Sequence, residues 1–136
     1  MTQEEIQEYN KRCALFLGAI SNKHKHCFYP MEDDELNLSF YIFDESIFSN
    51  NEGSTWKIKD LKFDSDYNWI MEVVEEIEKI KDGQGYRWRV DTYLESCSIS
   101  NTHNFTAFIT INSTSKKEAV VQAINQFLIW YNENNK

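Results

Sequence analysis

The clearest period in the chain lies near its C-terminal end. Val120, Ala123, Ile124, Phe127, Leu128 and Tyr131 recur there at three- and four-residue steps and so share one face of a helix. Ser115-x-x-Glu118 just ahead of the run has the serine and glutamate of a capping box, which sets its start. A second helix is predicted from Asp64 or Ser65, with Ile70, Val73, Val74, Ile77 and Ile80 as its apolar stripe and Glu72, Glu75, Glu76 and Glu78 on the remainder. Asp82-Gly-Gln-Gly85 stops it. A third opens the chain: Thr2-x-x-Glu5 is another capping box, and Ile6, Tyr9, Cys13, Phe16, Leu17 and Ile20 follow on one helical face that ends near Gly18.

Between the helices the period falls to two. Leu36, Leu38, Phe40 and Ile42 alternate with polar neighbours and predict a half-buried strand, followed by a turn over Ser49-Asn-Asn-Glu-Gly53. A second strand runs from Thr55 to about Lys62, with Trp56 and Ile58 on one face and Lys57 and Lys59 on the other, until the alternation fails at Asp60. Tyr86, Trp88, Val90, Thr92 and Leu94 form a third run, and Phe105, Ala107, Ile109 and Ile111 a fourth; with Asn101-Thr-His-Asn104 between them they predict an antiparallel hairpin. The order is αββαββα. It specifies a single α+β domain over 1–136, a mostly antiparallel sheet packed by three helices in two or three layers.

Composition narrows the function classes. The 136 residues are 41% hydrophobic and 15% aromatic with four Gly and one Pro, the make-up of a packed globule rather than a disordered chain. Fourteen Lys and Arg are scattered among 22 acids for a net charge of -8, so general nucleic-acid binding, which needs clustered cations to release counterions, is excluded. Three cysteines, Cys13, Cys27 and Cys97, are too few and too uneven for a disulfide framework and fit a reducing cytoplasm. The Met-Thr-Gln-Glu-Glu start reads as no targeting signal, and no apolar run approaches the roughly 20 residues that span a bilayer, so no membrane partner is expected.

Chemistry-bearing clusters are sparse. His24-x-His26-Cys27 invites a zinc reading with Cys97 or His103, but the spacing lacks the second close pair of a structural zinc site, and no metal or cofactor is expected. No nucleophile elbow or phosphate loop is present, and Asp82-Gly-Gln-Gly85 follows a helix where a dinucleotide fingerprint would follow a strand. Asp64 and Asp66 read as helix caps, and the acidic run Glu32-Asp-Asp-Glu35 as a solvated loop. The most suggestive grouping is basic and aromatic. Arg87 and Arg89 share a strand face with Tyr93, while Ser115, Lys116 and Lys117 stand at the start of the last helix, whose free amides favour anions. Together they would suit a phosphate-bearing ligand; taken separately they are exposed side chains on a solvated surface.

Three segments carry a resemblance: Tyr9-Asn-Lys-Arg-Cys-Ala-Leu-Phe-Leu-Gly18, the block from Phe63 to Ile80, and Ser115-Lys-Lys-Glu-Ala-Val120 with Phe127-Leu-Ile-Trp-Tyr-Asn132. In these the chain resembles small uncharacterised phage and prophage proteins, and more distantly the phage α-β-α sandwich proteins. The resemblance implies a phage accessory protein acting by binding in the host cytoplasm, either masking a host protein or sequestering a small anionic, nucleotide-like signal of host defence, with a homo-oligomer left open. It brings no catalytic residue. A small metal- or cysteine-dependent hydrolase working through the 24–27 loop and Cys97 is the alternative.

Overall fold

In this computed structural model the described residues are 1–18, 20–21, 47–49, 55–57, 60–103 and 107–134. Their elements run α1 (Gln3–Phe16), β1 (Ile20–Ser21), β2 (Ile47–Ser49), β3 (Thr55–Lys57), α2 (Tyr67–Lys79), β4 (Trp88–Tyr93), β5 (Ser96–Asn101), β6 (Ala107–Asn112) and α3 (Lys116–Asn134). The chain is α+β, and each αββ of the sequence reading gains a strand. Its contacts group into two compact units, Met1–Leu61 and Lys62–Lys136.

In the first unit the capping box at the chain start forms as the spacing requires. The Thr2 hydroxyl accepts the Glu5 N–H at 3.1 Å, and the Glu5 carboxylate accepts the Thr2 N–H at 2.7 Å. α1 ends where Leu17 N–H reaches back to Cys13 O and Gly18 to Leu15 O. Gly18 sits at φ 96°, a left-handed conformation that only glycine takes cheaply. Tyr9, Asn10, Cys13 and Ala14 are its buried residues, and the Asn10 amide donates to Leu61 O at 3.2 Å. Ile20, which the helical period had included, instead lies in β1, because the backbone reversal at Gly18 ends the helix before it. β1, β2 and β3 form an antiparallel sheet in that order, with Phe48 opposite both Ser21 and Trp56. β2 was not foreseen. The strand read at Leu36–Ile42, the loop 22–35 with His24, His26 and Cys27, and most of the 49–53 turn lie outside the described residues.

The second unit is a meander, β4-β5-β6, packed by two helices. α2 begins at Tyr67 rather than Asp64 or Ser65, because residues 63–65 form a turn closed by Asp66 N–H to Lys62 O and the Asp66 carboxylate then caps Asn68 N–H at 2.9 Å. Ile70, Val73, Val74 and Ile77 are buried as its period demands. The predicted hairpin needs correction. β4 and β6 do not pair with each other; both pair with β5, whose Ser96-Cys-Ser-Ile-Ser-Asn101 lies between them. Rows across the sheet are Val90–Ile99–Ile109 and Thr92–Cys97–Ile111 on one face, and Arg89–Ser100–Ala107, Asp91–Ser98–Thr110 and Tyr93–Ser96–Asn112 on the other. The first face carries the buried Cys97, Ile99 and Ile109.

α3 lies against β5 and β6, and α2 against β4. Ala119, Val120, Val121, Ala123, Ile124, Phe127 and Leu128 are the buried residues of α3, and each full burial of Ile, Leu or Phe contributes about 1.5–3 kcal/mol. A bulge between Ile99 and Ser100 leaves Phe108 as the extra residue of β6. Its ring meets Trp130 at 4.9 Å and Trp88 at 5.5 Å, and Trp88 stands edge-on to Phe127 at 5.2 Å. This aromatic cluster closes the end of the core with the tilted and edge-to-face geometries that ring quadrupoles favour.

Candidate functional site

The alternation of β4 puts Arg89, Asp91 and Tyr93 on the sheet face away from the buried Cys97 and Ile99, and all three are exposed. Beside them on β5 stand the half-buried Ser96 and Ser98, and on β6 the exposed Thr110 and Asn112, while Ser100 on the same face is buried. Their short hydroxyl and amide side chains make a flat polar surface, bordered by one ion pair and one ring. Arg89 Nε lies 2.9 Å from the Asp91 carboxylate. Tyr93, 73% exposed, stands at the end where β4 turns into β5.

The basic and aromatic residues singled out in the sequence fall into two groups along this sheet. Arg87 and Arg89 are at the start of β4, where the Arg87 Nε donates to Glu78 O at 2.9 Å and so caps a carbonyl in the last turn of α2. Tyr93 is at the other end, about 20 Å of extended chain beyond Arg87. The start of α3 lies with Tyr93, since Ser113 N–H donates to Glu95 O at 2.9 Å. The structure therefore brings Tyr93 and Ser115–Lys117 to one end of the sheet and leaves the two arginines toward the other.

At that helix start the donors have partners within the chain. The Ser115 hydroxyl accepts Glu118 N–H at 3.1 Å, and the Glu118 carboxylate accepts both the Ser113 and Thr114 hydroxyls, at 2.7 and 2.6 Å. Those hydroxyls, Thr114 first, hold the Glu118 carboxyl below the usual glutamate range. An anion thus already sits at the positive end of α3. Lys117 Nζ donates to Ser65 O at 2.8 Å and lies 5.0 Å from the Tyr67 ring centroid, while Lys116 is exposed.

Cys97 and His103, named above as possible zinc partners and Cys97 also as a hydrolase residue, are separated. Cys97 is buried on the other sheet face, and burial pushes its thiol up to about 11, so the thiolate is scarce at neutral pH. His103 lies beyond the opposite end of β5, about 13 Å of strand from Cys97 to Asn101 and further still to the imidazole. Its ring is 4.5 Å from Tyr86, beside an Asp82 carboxylate that accepts the Tyr86 and Gln84 N–H groups and is held below the usual aspartate range by them, Tyr86 first. Among the described residues no group of three His, Cys, Asp or Glu is placed to hold a metal ion, and no helix is long and apolar enough to cross a membrane.

The β5 side of this face was not connected with Arg89 and Tyr93 in the sequence. Its signal was the Ser96, Ser98, Ser100 period, which has the alternation of a strand without the β-branched residues that usually announce one. No protein-family model, curated protein or solved structure matches this chain.

Proposed function

We propose that this chain is a non-catalytic binding protein that masks a host protein, and that the polar face of the β4–β6 sheet is the surface it presents. The observation that carries this is the composition of that face: Tyr93 and the Arg89–Asp91 pair around Ser96, Ser98, Thr110 and Asn112. Tyrosine gives a large contact at low entropy cost and serine adaptable hydrogen bonds, the combination that recognition loops use on protein targets. A strand platform holds them without the ordering cost of a loop. The resemblance to phage accessory proteins points to a host protein as the target and the host cytoplasm as the place. Masking is favoured over sequestering a nucleotide because Arg89 is paired with Asp91, Arg87 is bonded to Glu78, and Glu118 occupies the helix start.

The test is capture of a partner from host lysate by the whole protein and by three variants. Tyr93→Ala and Ser98→Arg are expected to lose the partner, while Glu75→Lys on the outer side of α2 keeps it. A partner held equally by all four removes this face from consideration. In parallel, a thermal-shift screen of mono-, di- and cyclic nucleotides is expected to give no stabilisation; a shift abolished by Arg87→Ala or Lys116→Ala would replace masking with nucleotide sequestration.

A further inference from the structure

The two edges of the β4-β5-β6 sheet are finished differently. Thr102 N–H donates to Arg87 O at 2.9 Å in the register that pairs Trp88 with Asn101. Antiparallel pairs alternate between bonded and non-bonded, so Trp88, Val90 and Thr92 turn their N–H and C=O groups away from β5. There the Val90 N–H is taken by the Glu78 carboxylate at 3.1 Å, and Arg89 and Asp91 set charge along the same strand. That edge is guarded.

At the other edge, Ser113 N–H donates to Glu95 O in the register that pairs Ser96 with Asn112, so the same alternation turns the N–H and C=O groups of Thr110 and Asn112 outward. Among the described residues β6 pairs with β5 alone. Edge strands are ordinarily guarded by lysine, proline or other charge. β6 has none of these, and its bulge lies at the Ala107 end, leaving Ile109–Asn112 regular. The sequence is free of Asp, Glu, Lys and Arg from Asn104 to Ser115 and again from Ala119 to Asn132, in a chain where such residues make up 26%. β6 and α3, which lie against each other, are thus almost free of charge along these runs, with Phe108 46% exposed at the bulged end of β6 and Ile129 36% exposed on α3. Depletion of charge with exposed aromatic surface marks the centre of an interface.

We propose that β6 is a self-association edge: two copies of this chain join β6 to β6, antiparallel, about a two-fold axis beside Ile111. Thr110 of each copy then exchanges backbone hydrogen bonds with Asn112 of the other, and all four of those outward-facing residues become paired. Charge matching selects a second copy as the occupant. An uncharged surface meets its own image without burying an unpaired charge, whereas a partner bearing charges would leave them desolvated against it. An antiparallel strand pair is also self-complementary under a two-fold axis. Because each copy carries -8, their long-range repulsion opposes the encounter, so the dimer strengthens as salt is added.

Sedimentation of the full chain decides it. At about 100 µM, where a micromolar dissociation constant leaves the dimer dominant, the mass is expected to be twice 16.2 kDa, with dissociation on dilution and tighter association at higher salt. Hydrogen exchange should show the Thr110 and Asn112 amides gaining protection with concentration. Thr110→Lys, which sets two like charges near the axis, is expected to weaken the dimer at least about tenfold. Thr110→Pro should do the same without costing a bond to β5, because its N–H faces outward, and Arg89→Ala on the opposite edge should leave the dimer intact. Near-ultraviolet circular dichroism of the Trp88 and Trp130 cluster verifies that each variant is folded. A monomer at 100 µM in high salt would overturn the proposal, as would a dimer that Thr110→Lys and Thr110→Pro both leave unchanged.

Discussion

The Glu78 carboxylate accepts the Val90 N–H at 3.1 Å, so a side chain of α2 completes the edge of the strand that follows it. Arg87 adds the reciprocal contact, its guanidinium on Glu78 O. Helix and strand are thereby tied on both sides of the Asp82–Gly85 turn. Glu78→Ala leaves the Val90 amide without its acceptor and is expected to cost about 1 kcal/mol in urea unfolding, with faster exchange of that amide; Glu78→Gln, which retains an oxygen, should recover most of it.

Phe127 is fully buried against Trp88, Trp130 and Tyr131. Removing its ring opens a cavity that three large neighbours cannot fill by small shifts. Phe127→Ala should cost about 3–5 kcal/mol, read as a lower urea midpoint, together with loss of the near-ultraviolet signal of the tryptophan pair.

Leu94 and Glu95 form a two-residue loop between the paired Tyr93 and Ser96, and Leu94 takes φ 55° while 63% exposed. A leucine there strains the backbone without a burial gain to offset it. Leu94→Gly should raise stability by about 0.5–1 kcal/mol, the relief of strain exceeding the added freedom of the unfolded chain. An unchanged or lower melting temperature would contradict this.

Glu118 titrates below its usual range in the folded chain because the Thr114 and Ser113 hydroxyls hold its charged form. The sign follows from linkage: with the folded pKa depressed, its contribution is present above the unfolded glutamate pKa and is lost as pH falls through the lower folded value. Glu118→Gln is therefore expected to destabilise at neutral pH and to converge on wild type at the acid end of a denaturation series. Equal differences at both ends would remove this role.

Cys97 works in the opposite sense. Its thiol remains protonated in the fold up to about 11, whereas an unfolded thiol ionises from about 8.5 upward, so stability falls as pH rises between the two. Thiol-specific labelling of Cys97 at neutral pH should be slow in the native chain and fast in denaturant.

How much of this was legible depended on how many local signals agreed. α3 and the start of α1 were readable because cap and stripe coincide at Ser115–Glu118 and Thr2–Glu5. The start of α2 slipped because Asp64, Ser65 and Asp66 all have capping side chains, and only the turn back to Lys62 selects the last of them. The break between β4 and β5 was not legible: the turn read at Asn101–Asn104 falls where β5 ends, but the tight turn at Leu94–Glu95 that separates β4 from β5 has no Gly, Asn or Pro to announce it, so one hairpin was read where the chain makes a three-stranded meander. Within the candidate site, the shared face of Arg89 and Tyr93 was readable from parity. That Arg87 would cap α2 and Arg89 would pair with Asp91 depends on where α2 and β4 meet in space, which parity does not encode.

The meander has a further consequence for how quickly its ladder assembles. Each strand of the second unit pairs with its neighbour in sequence, and the Tyr93–Ser96 connection is as short as a hairpin allows. Little chain entropy is lost in closing such loops, so pairing begins at the Leu94–Glu95 turn and spreads toward Trp88 and Asn101 rather than waiting for distant segments to meet. The left-handed Leu94 sits where that growth starts, and the backbone it strains must form early. Leu94→Gly should accordingly act on the refolding rate and leave unfolding nearly unaltered, a division that stopped-flow kinetics resolves into separate limbs.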